Sequence, residues 1–179
     1  MLNKILVAID QSPISQQAFD TALELAKALG ASLTLVHVLD VIDPDAPERP
    51  TTLVNSYGVG LDIMLRRKYE HQWDEFVRHY EALLRQKEQQ AEAVGVTASY
   101  LQPYGHPGQA ICEAASVCNA DLIIVGSHNR TGLKELVLGS VSSHVMHHAP
   151  CSVMVIHPGA SHYDVLDKDR VGITSTVPI

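Results

Sequence analysis

Short, nearly continuous apolar runs alternate along the chain with segments whose apolar residues recur at helical spacing. Such runs are typical of strands that are buried on both faces of a parallel sheet. The pattern predicts five strands, at residues 5–9, 32–39, 96–102, 121–125 and 152–156. Because a helical segment separates successive strands, the chain is predicted to form a single doubly wound α/β domain with right-handed crossovers.

Capping residues mark the helices between these strands. Ser12 followed by Pro13 predicts the start of the first helix, and Gly30 predicts its end. Further helices are predicted at about residues 62–94, 109–118 and 140–148. At about 1.5 Å per residue the second of them is longer than the strands, so it either overhangs the sheet or begins later. Its apolar stripe consists of Trp73, Phe76, Val77, Tyr80, Leu83, Leu84, Ala91 and Val94.

Two segments interrupt this regular pattern. Residues 43–50 read DPDAPERP, and their three prolines exclude a helix interior or a central strand. We therefore interpret residues 43–60 as an insert on the surface. Residues 158–179 are polar, with a short acidic stretch, and by composition they resemble a disordered tail. The predicted division is an α/β domain over 1–157 and a C-terminal extension over 158–179.

Charge and cysteine content restrict the class of protein. The chain has 179 residues and a net charge of −7, which disfavours binding to the phosphate backbone of nucleic acids. No apolar run approaches the roughly 18 residues that a membrane span requires, so we expect no membrane partner. The three cysteines are odd in number and lack C-x-x-C spacing, which predicts neither a disulfide framework nor a zinc ribbon. We expect a cytoplasmic protein with reduced thiols.

The candidate chemistry lies after the first and fourth strands. Ligands of open parallel sheets bind beyond the carboxyl ends of the strands, where the strand order reverses. Asp10 ends the first strand, and residues 126–144 (GSHNRTGLKELVLGSVSSH) follow the fourth. Small residues at the start of a helix can bind an anion through free N–H groups. The alternative is that these glycines only form a tight connection between strand and helix.

Longer stretches of the sequence resemble the universal stress protein family. The opening KILVAIDQSPISQQAFDTALELAKALGASLTLVHVLD, the segment GHPGQAICEAA and the stretch IIVGSHNRTGLKELVLGSVSSHVMHHAPCSVMVI are similar to that family's patterns. Together they cover most of residues 3–157. The resemblance implies a five-stranded parallel sheet with strand order 3-2-1-4-5 and helices on both faces.

The resemblance also implies an ATP site. The ATP-binding branch of the family carries a glycine motif. In this motif two residues separate the first two glycines, and nine further residues precede a third glycine that is followed by serine or threonine. Gly126 and Gly139-Ser140 match the first and last elements, whereas Asn129 replaces the middle glycine. Asparagine tolerates φ > 0 better than other residues with a side chain, but it adds atoms where phosphate could approach the backbone.

Carried over to this sequence, the family's site gives a role to each matching position. Asp10 would bind the ribose, and Val38 would present backbone groups to the adenine. The phosphates of ATP, with or without Mg²⁺, would lie among Gly126, His128, Asn129, Gly139, Ser140, Val141 and Ser142. The expected function is a stress-response sensor or switch with, at most, slow ATP hydrolysis and with a signalling protein as its unknown partner. Two alternatives remain: a scaffold without nucleotide, or an AMP or cyclic-nucleotide binder in the same cleft.

The remaining features predict an interface rather than catalysis. The last strand, Ser152–Ile156, is apolar and lies at a sheet edge, and the family resemblance implies antiparallel pairing of this strand in a homodimer. His144, His147 and His148 have the spacing of metal ligands but lack the glutamate of H-E-x-x-H, so we interpret them as surface histidines. No nucleophile with a partnering base is evident.

Overall fold

The computed structural model describes residues 2–50, 59–127 and 139–157. Of residues 59 and 60 it describes the backbone alone. Nine elements alternate between strand and helix in the predicted order. The strands are β1 (Lys4–Ala8), β2 (Ser32–Val36), β3 (Ala98–Leu101), β4 (Leu122–Gly126) and β5 (Ser152–Ile156). The helices are α1 (Pro13–Leu29), α2 (Val59–Ala93), α3 (Pro107–Cys118) and α4 (Ser140–His148).

All five strands form one parallel sheet in the order β3-β2-β1-β4-β5. In the middle of the sheet Val7 of β1 pairs with Leu35 of β2 on one side and with Ile124 of β4 on the other. The doubly wound α/β fold and its strand order are therefore confirmed. The order reverses between β1 and β4, so the carboxyl ends of these two strands form the crevice where such folds bind ligands.

Each face of the sheet buries its own apolar cluster. Alternate residues of a strand point to opposite faces. Ile5 and Val7 accordingly belong to a cluster with α1 and the carboxyl half of α2, whereas Leu6 belongs to a cluster with α3 and α4. Because both faces are covered, the strands need to be apolar throughout, which explains the continuous runs in the sequence.

The ends of α1 follow the capping signals. Ser12 is its N-cap and accepts a hydrogen bond from the N–H of Ser15 at 3.2 Å. Gly30 at its carboxyl end has φ +67°, a left-handed conformation that glycine adopts without steric cost.

Several predicted boundaries were wrong by a few residues. β1 and β4 are each displaced by one residue at both ends, and β3 is shorter than predicted. β2 ends at Val36 rather than at 39, because the chain leaves the ladder with β1 to form the bend before α2. α3 begins at Pro107 rather than at 109, because proline fits the first turn of a helix.

α2 overhangs the sheet, as one of the two alternatives for this helix predicted. It contacts β2 and β3 through its carboxyl half, whereas Leu61 and Met64 in its first turns are exposed. Two details of the prediction were wrong. Residues 59 and 60 are helical rather than loop, and Val94 is 42% exposed although it was assigned to the buried stripe. The rest of the proposed insert, 51–58, and the extension 158–179 lie outside the described residues.

No helix within the described ranges, the long α2 included, has both the length and the apolar character to cross a membrane.

Candidate functional site

The ends of β1 and β4 come together with the start of α1. Gly126 is the last residue of β4 and packs against Ile14, the second residue of α1. A Cβ added at Gly126 would lie 3.0 Å from Ile14 Cγ2, so any larger residue would require the Ile14 side chain to shift by a few tenths of an ångström. This close approach gives Gly126 a packing role in addition to any role toward a ligand.

Asp10 organises the turn between β1 and α1. Its Oδ1 accepts hydrogen bonds from Ser12 N at 2.8 Å and from Ser12 Oγ at 2.5 Å. Its own N–H donates to Ser15 Oγ at 2.9 Å. The residue is exposed at the carboxyl edge of the sheet. These hydrogen bonds hold the carboxylate in one orientation at the start of α1.

No side chain among the described residues caps the start of α4. Its N-cap is Gly139, which has no side chain to bond the first N–H groups of the helix. Ser140 is exposed, whereas Ser142 is 1% exposed and its hydroxyl donates to the Gly139 carbonyl oxygen at 3.1 Å. Ser140 can therefore offer its hydroxyl to a ligand, while the hydroxyl of Ser142 is used within the helix. The uncapped N–H groups favour a negatively charged ligand.

A cavity of about 470 Å³ opens beside this helix start. It lies between the segment after β2 and the first turns of α3 and α4. Ser140 and Val141 are the sequence-predicted site residues that line it. Val38 is buried beyond the end of β2, and Asp10, Gly126, Gly139 and Ser142 are not among the lining residues. His128 and Asn129 lie outside the described residues. The cavity walls are formed by Asp40, Ile42, Asp43, His106, Pro107, Gly108, Gln109, Ser140, Val141 and His144.

Several of these lining residues were missed in the sequence. Asp40 and Asp43 bring two carboxylates to the cavity, and His106 and His144 bring two imidazoles. Asp43 was visible only as part of an acidic, proline-rich segment, and His106 only as part of the entry to a helix. No signal in the sequence linked the two aspartates to the two histidines, because these groups are far apart along the chain. Within the described lining there is neither lysine nor arginine.

The histidines of α4 interact with each other. The rings of His144 and His148 stack with centroids 4.2 Å apart, and His148 Nδ1 donates to the His144 carbonyl oxygen at 2.9 Å. Over residues 2–50, 59–127 and 139–157, no three histidine, cysteine, aspartate or glutamate residues come together as a metal site requires. Cys112 is buried, and burial raises the pKa of its thiol, which keeps the sulfur in its less reactive protonated form.

Known proteins share this arrangement of elements. The sequence model of the universal stress protein family matches residues 1–157. Universal stress protein YxiE of Bacillus subtilis is 32% identical over 156 residues, which cover 87% of this chain and 99% of YxiE. Among solved structures, universal stress protein UspA from Lactobacillus plantarum is 27% identical with a TM-score of 0.63, over 87% of this chain and 97% of that one.

A further solved structure agrees in fold at lower identity. It is a universal stress protein in complex with cAMP, 22% identical with a TM-score of 0.57, and the match covers 87% of this chain and 97% of that one. The family match extends over both halves of the sheet and over the strand ends described above. The chain belongs to the universal stress protein family.

Proposed function

We propose that this protein binds an adenine nucleotide at the carboxyl edge of its sheet and acts through it as a sensor or switch in a stress response. The observation that carries the proposal is the start of α4, which has no side-chain cap among the described residues and lines the cavity at the carboxyl edge of the sheet. Solved proteins of this fold include complexes with cAMP, dAMP and AMP, which agree with a nucleotide of this kind.

Each part of the nucleotide has a matching group in this proposal. Asp10 accepts hydrogen bonds from the ribose hydroxyls, and backbone groups of Val38 bind the adenine edge. The phosphates bind at the start of α4, where N–H groups and the Ser140 hydroxyl donate. Four further residues shape this end of the site through their backbone: Gly126, Gly139, Val141 and Ser142. His128 and Asn129 are added to the site from the sequence pattern alone.

The candidate nucleotides differ in their number of phosphates and therefore in their negative charge. The sequence motif favours ATP together with Mg²⁺, an ion that binds phosphate oxygens. The charges on the cavity wall favour a ligand with fewer negative charges, because Asp40 and Asp43 oppose a long phosphate chain. AMP or cAMP is therefore the second candidate.

Calorimetric titration of nucleotide-stripped protein tests the proposal. We expect Mg-ATP, AMP or cAMP to bind with a dissociation constant of about micromolar or below. An Asn129→Gly variant, which restores the motif glycine, is titrated alongside. If the variant binds Mg-ATP more tightly than the native protein does, while the two proteins bind AMP equally, Asn129 selects against the triphosphate. Absence of binding by both chains would contradict the proposal and favour a scaffold without nucleotide.

We also propose that two copies pair through β5. In the part of the chain that the structure describes, this strand bonds to β4 on one side only, and its residues Val153 to Ile156 are half-buried. An edge strand of this composition is prone to pair with another strand. Antiparallel pairing across a two-fold axis would join two sheets and place both nucleotide sites in one assembly.

A charge on this strand is expected to give monomers. Met154→Lys places an ammonium group next to the partner strand, which would then have to bury it. Light scattering should change from the mass of two chains to the mass of one. Val117→Lys is the control, because Val117 is 79% exposed on α3 away from β5. An unchanged dimer of folded Met154→Lys protein would exclude this interface.

A further inference from the structure

His37 lies between the two strand ends that carry the proposed nucleoside site. It is 3% exposed, directly after β2, and its Nδ1 is 2.9 Å from the carbonyl oxygen of Ile9, directly after β1. Because a carbonyl oxygen only accepts, Nδ1 carries the proton and donates. The residues that follow this pair are Asp10 and Val38, to which the proposed function assigns the ribose and the adenine.

The ring of His37 is enclosed by aromatic residues of α2. It stacks on Tyr80 with centroids 3.5 Å apart and an interplanar angle of 7°, and Phe76 approaches it edge-on. Tyr80 donates its hydroxyl to Asp45 Oδ2 at 3.1 Å, which ties this stack to the segment after β2. The second nitrogen, Nε2, is buried and has no hydrogen-bond partner in the described part of the chain. A neutral ring fits this environment, whereas a proton on Nε2 would have no acceptor there.

We propose that neutral His37 is a positioning residue for nucleoside binding: its Nδ1–H joins the ends of β1 and β2, whereas a second proton, on Nε2, would have no acceptor beside Tyr80 and would drive the ring out of this stack. The contact with Ile9 is then lost, the two strand ends separate, and binding weakens in acid. The inference rests on the proposed function, because it concerns the same site. It goes beyond that function in making occupancy of the site depend on pH through a residue that touches no ligand.

The charged groups around His37 act in both directions. Burial lowers its pKa, and this effect exceeds the opposing effect of the hydrogen bond to the Ile9 carbonyl oxygen and the attraction of Asp43 in the segment after β2 and of Asp10 after β1. His79 on α2 also lowers it. The neighbouring Tyr80 stays neutral, because burial and the nearby carboxylates raise its pKa.

These shifts determine the direction of the pH effect. The pKa of His37 in the folded chain lies below the value of about 6.5 that an unfolded chain would show. The contribution of His37 to folding is therefore complete above about pH 6.5 and is lost as the pH falls through the folded-state pKa. Nucleoside affinity is expected to fall over the same interval, because only the neutral form holds the site.

Titration with cAMP between about pH 5 and pH 8 tests the inference, since histidine changes its charge in this range and cAMP does not. We expect the dissociation constant to be constant at the upper end and to rise by up to about tenfold per pH unit below the pKa of His37. NMR of the His37 ring reports its protonation directly, with or without ligand. Coincidence of the two midpoints is the expected result.

Two variants separate the hydrogen bond from the stacking. His37→Asn retains a donor where Nδ1 lies but cannot titrate, so its cAMP affinity should be constant over the pH range. His37→Phe retains the stacking on Tyr80 but leaves the Ile9 carbonyl without its donor, so its affinity should be weak at every pH. The matched control is His71→Asn on the exposed part of α2. Its cAMP affinity should change with pH as that of the native protein does.

The outcomes distinguish this inference from the proposed function. Binding of cAMP that does not change with pH while the His37 ring titrates would overturn the inference and leave nucleotide binding intact. Absence of binding at every pH, for all the adenine nucleotides, would overturn both. If the variants fail to fold, the comparison of the two midpoints in the native protein still decides the question.

Discussion

Replacing Ser140 with aspartate is expected to weaken AMP binding by about 100-fold, or ~3 kcal/mol, while adenosine binding stays unchanged. Ser140 is exposed, lines the cavity and begins α4. In the proposed function it meets the phosphate, so a carboxylate there places two negative charges side by side. The fold should tolerate this change, because an acidic residue in the first turn of a helix interacts favourably with the helix dipole.

Calorimetry with AMP and adenosine measures the two effects separately. Ser143→Asp provides the matched control, since it adds the same charge to α4 at a residue that does not line the cavity. Equal loss of adenosine and AMP binding in Ser140→Asp would indicate a general distortion of the site. Unchanged AMP affinity would exclude the start of α4 as the place where phosphate binds.

Replacing Leu84 with alanine is expected to lower the free energy of unfolding by about 3 kcal/mol. Leu84 lies in the carboxyl half of α2, is 0% exposed and belongs to the cluster that joins α1 and α2 to the sheet. Removing its side chain loses apolar contacts and leaves a cavity against β2. Because α2 also carries Tyr80 under His37, the loss affects the element that supports the proposed site from behind.

Denaturant unfolding of the native protein and of Leu84→Ala measures this loss in the free energy of unfolding. Leu61→Ala is the matched control, because the same substitution is made on the same helix, where the side chain is 41% exposed beyond the sheet. Its expected effect is within about 0.5 kcal/mol. Comparable losses in the two variants would mean that the first half of α2 is packed as tightly as the second, against the observed exposure.

The elements of the fold and their parallel arrangement could be predicted almost completely from local patterns, whereas the strand order came from the resemblance to the family. Continuous apolar runs predicted a parallel sheet because strands covered on both faces have no polar side. The bounds of α4 and β5 were predicted to the residue. In each case the signal comes from residues that are close together in the sequence.

The site could be predicted only in part. Four of its positions could be predicted because strand ends and helix starts follow from local patterns together with the family's motif: Asp10, Gly126, Gly139 and Ser140. Their roles toward a ligand stay predictions. His37 and Asp43 could not be predicted, since nothing near them in sequence predicts what they contact. Lys87 shows the same limit: it reads as a solvated charge on a polar helix, yet it is buried, with Nζ 2.6 Å from Gln16 Oε1 and 4.4 Å from the centre of the Phe19 ring.

The sequence by itself therefore determined the elements, their parallel arrangement and the edge of the sheet where a ligand would bind. The tertiary structure decided which half of α2 packs on the sheet, that His37 joins β1 to β2 under Tyr80, and that acidic residues line the cavity. The physical reason is the range of the interactions. Capping, periodicity and strand burial depend on near neighbours, whereas the environment of a buried polar group depends on elements that meet only after the chain has folded.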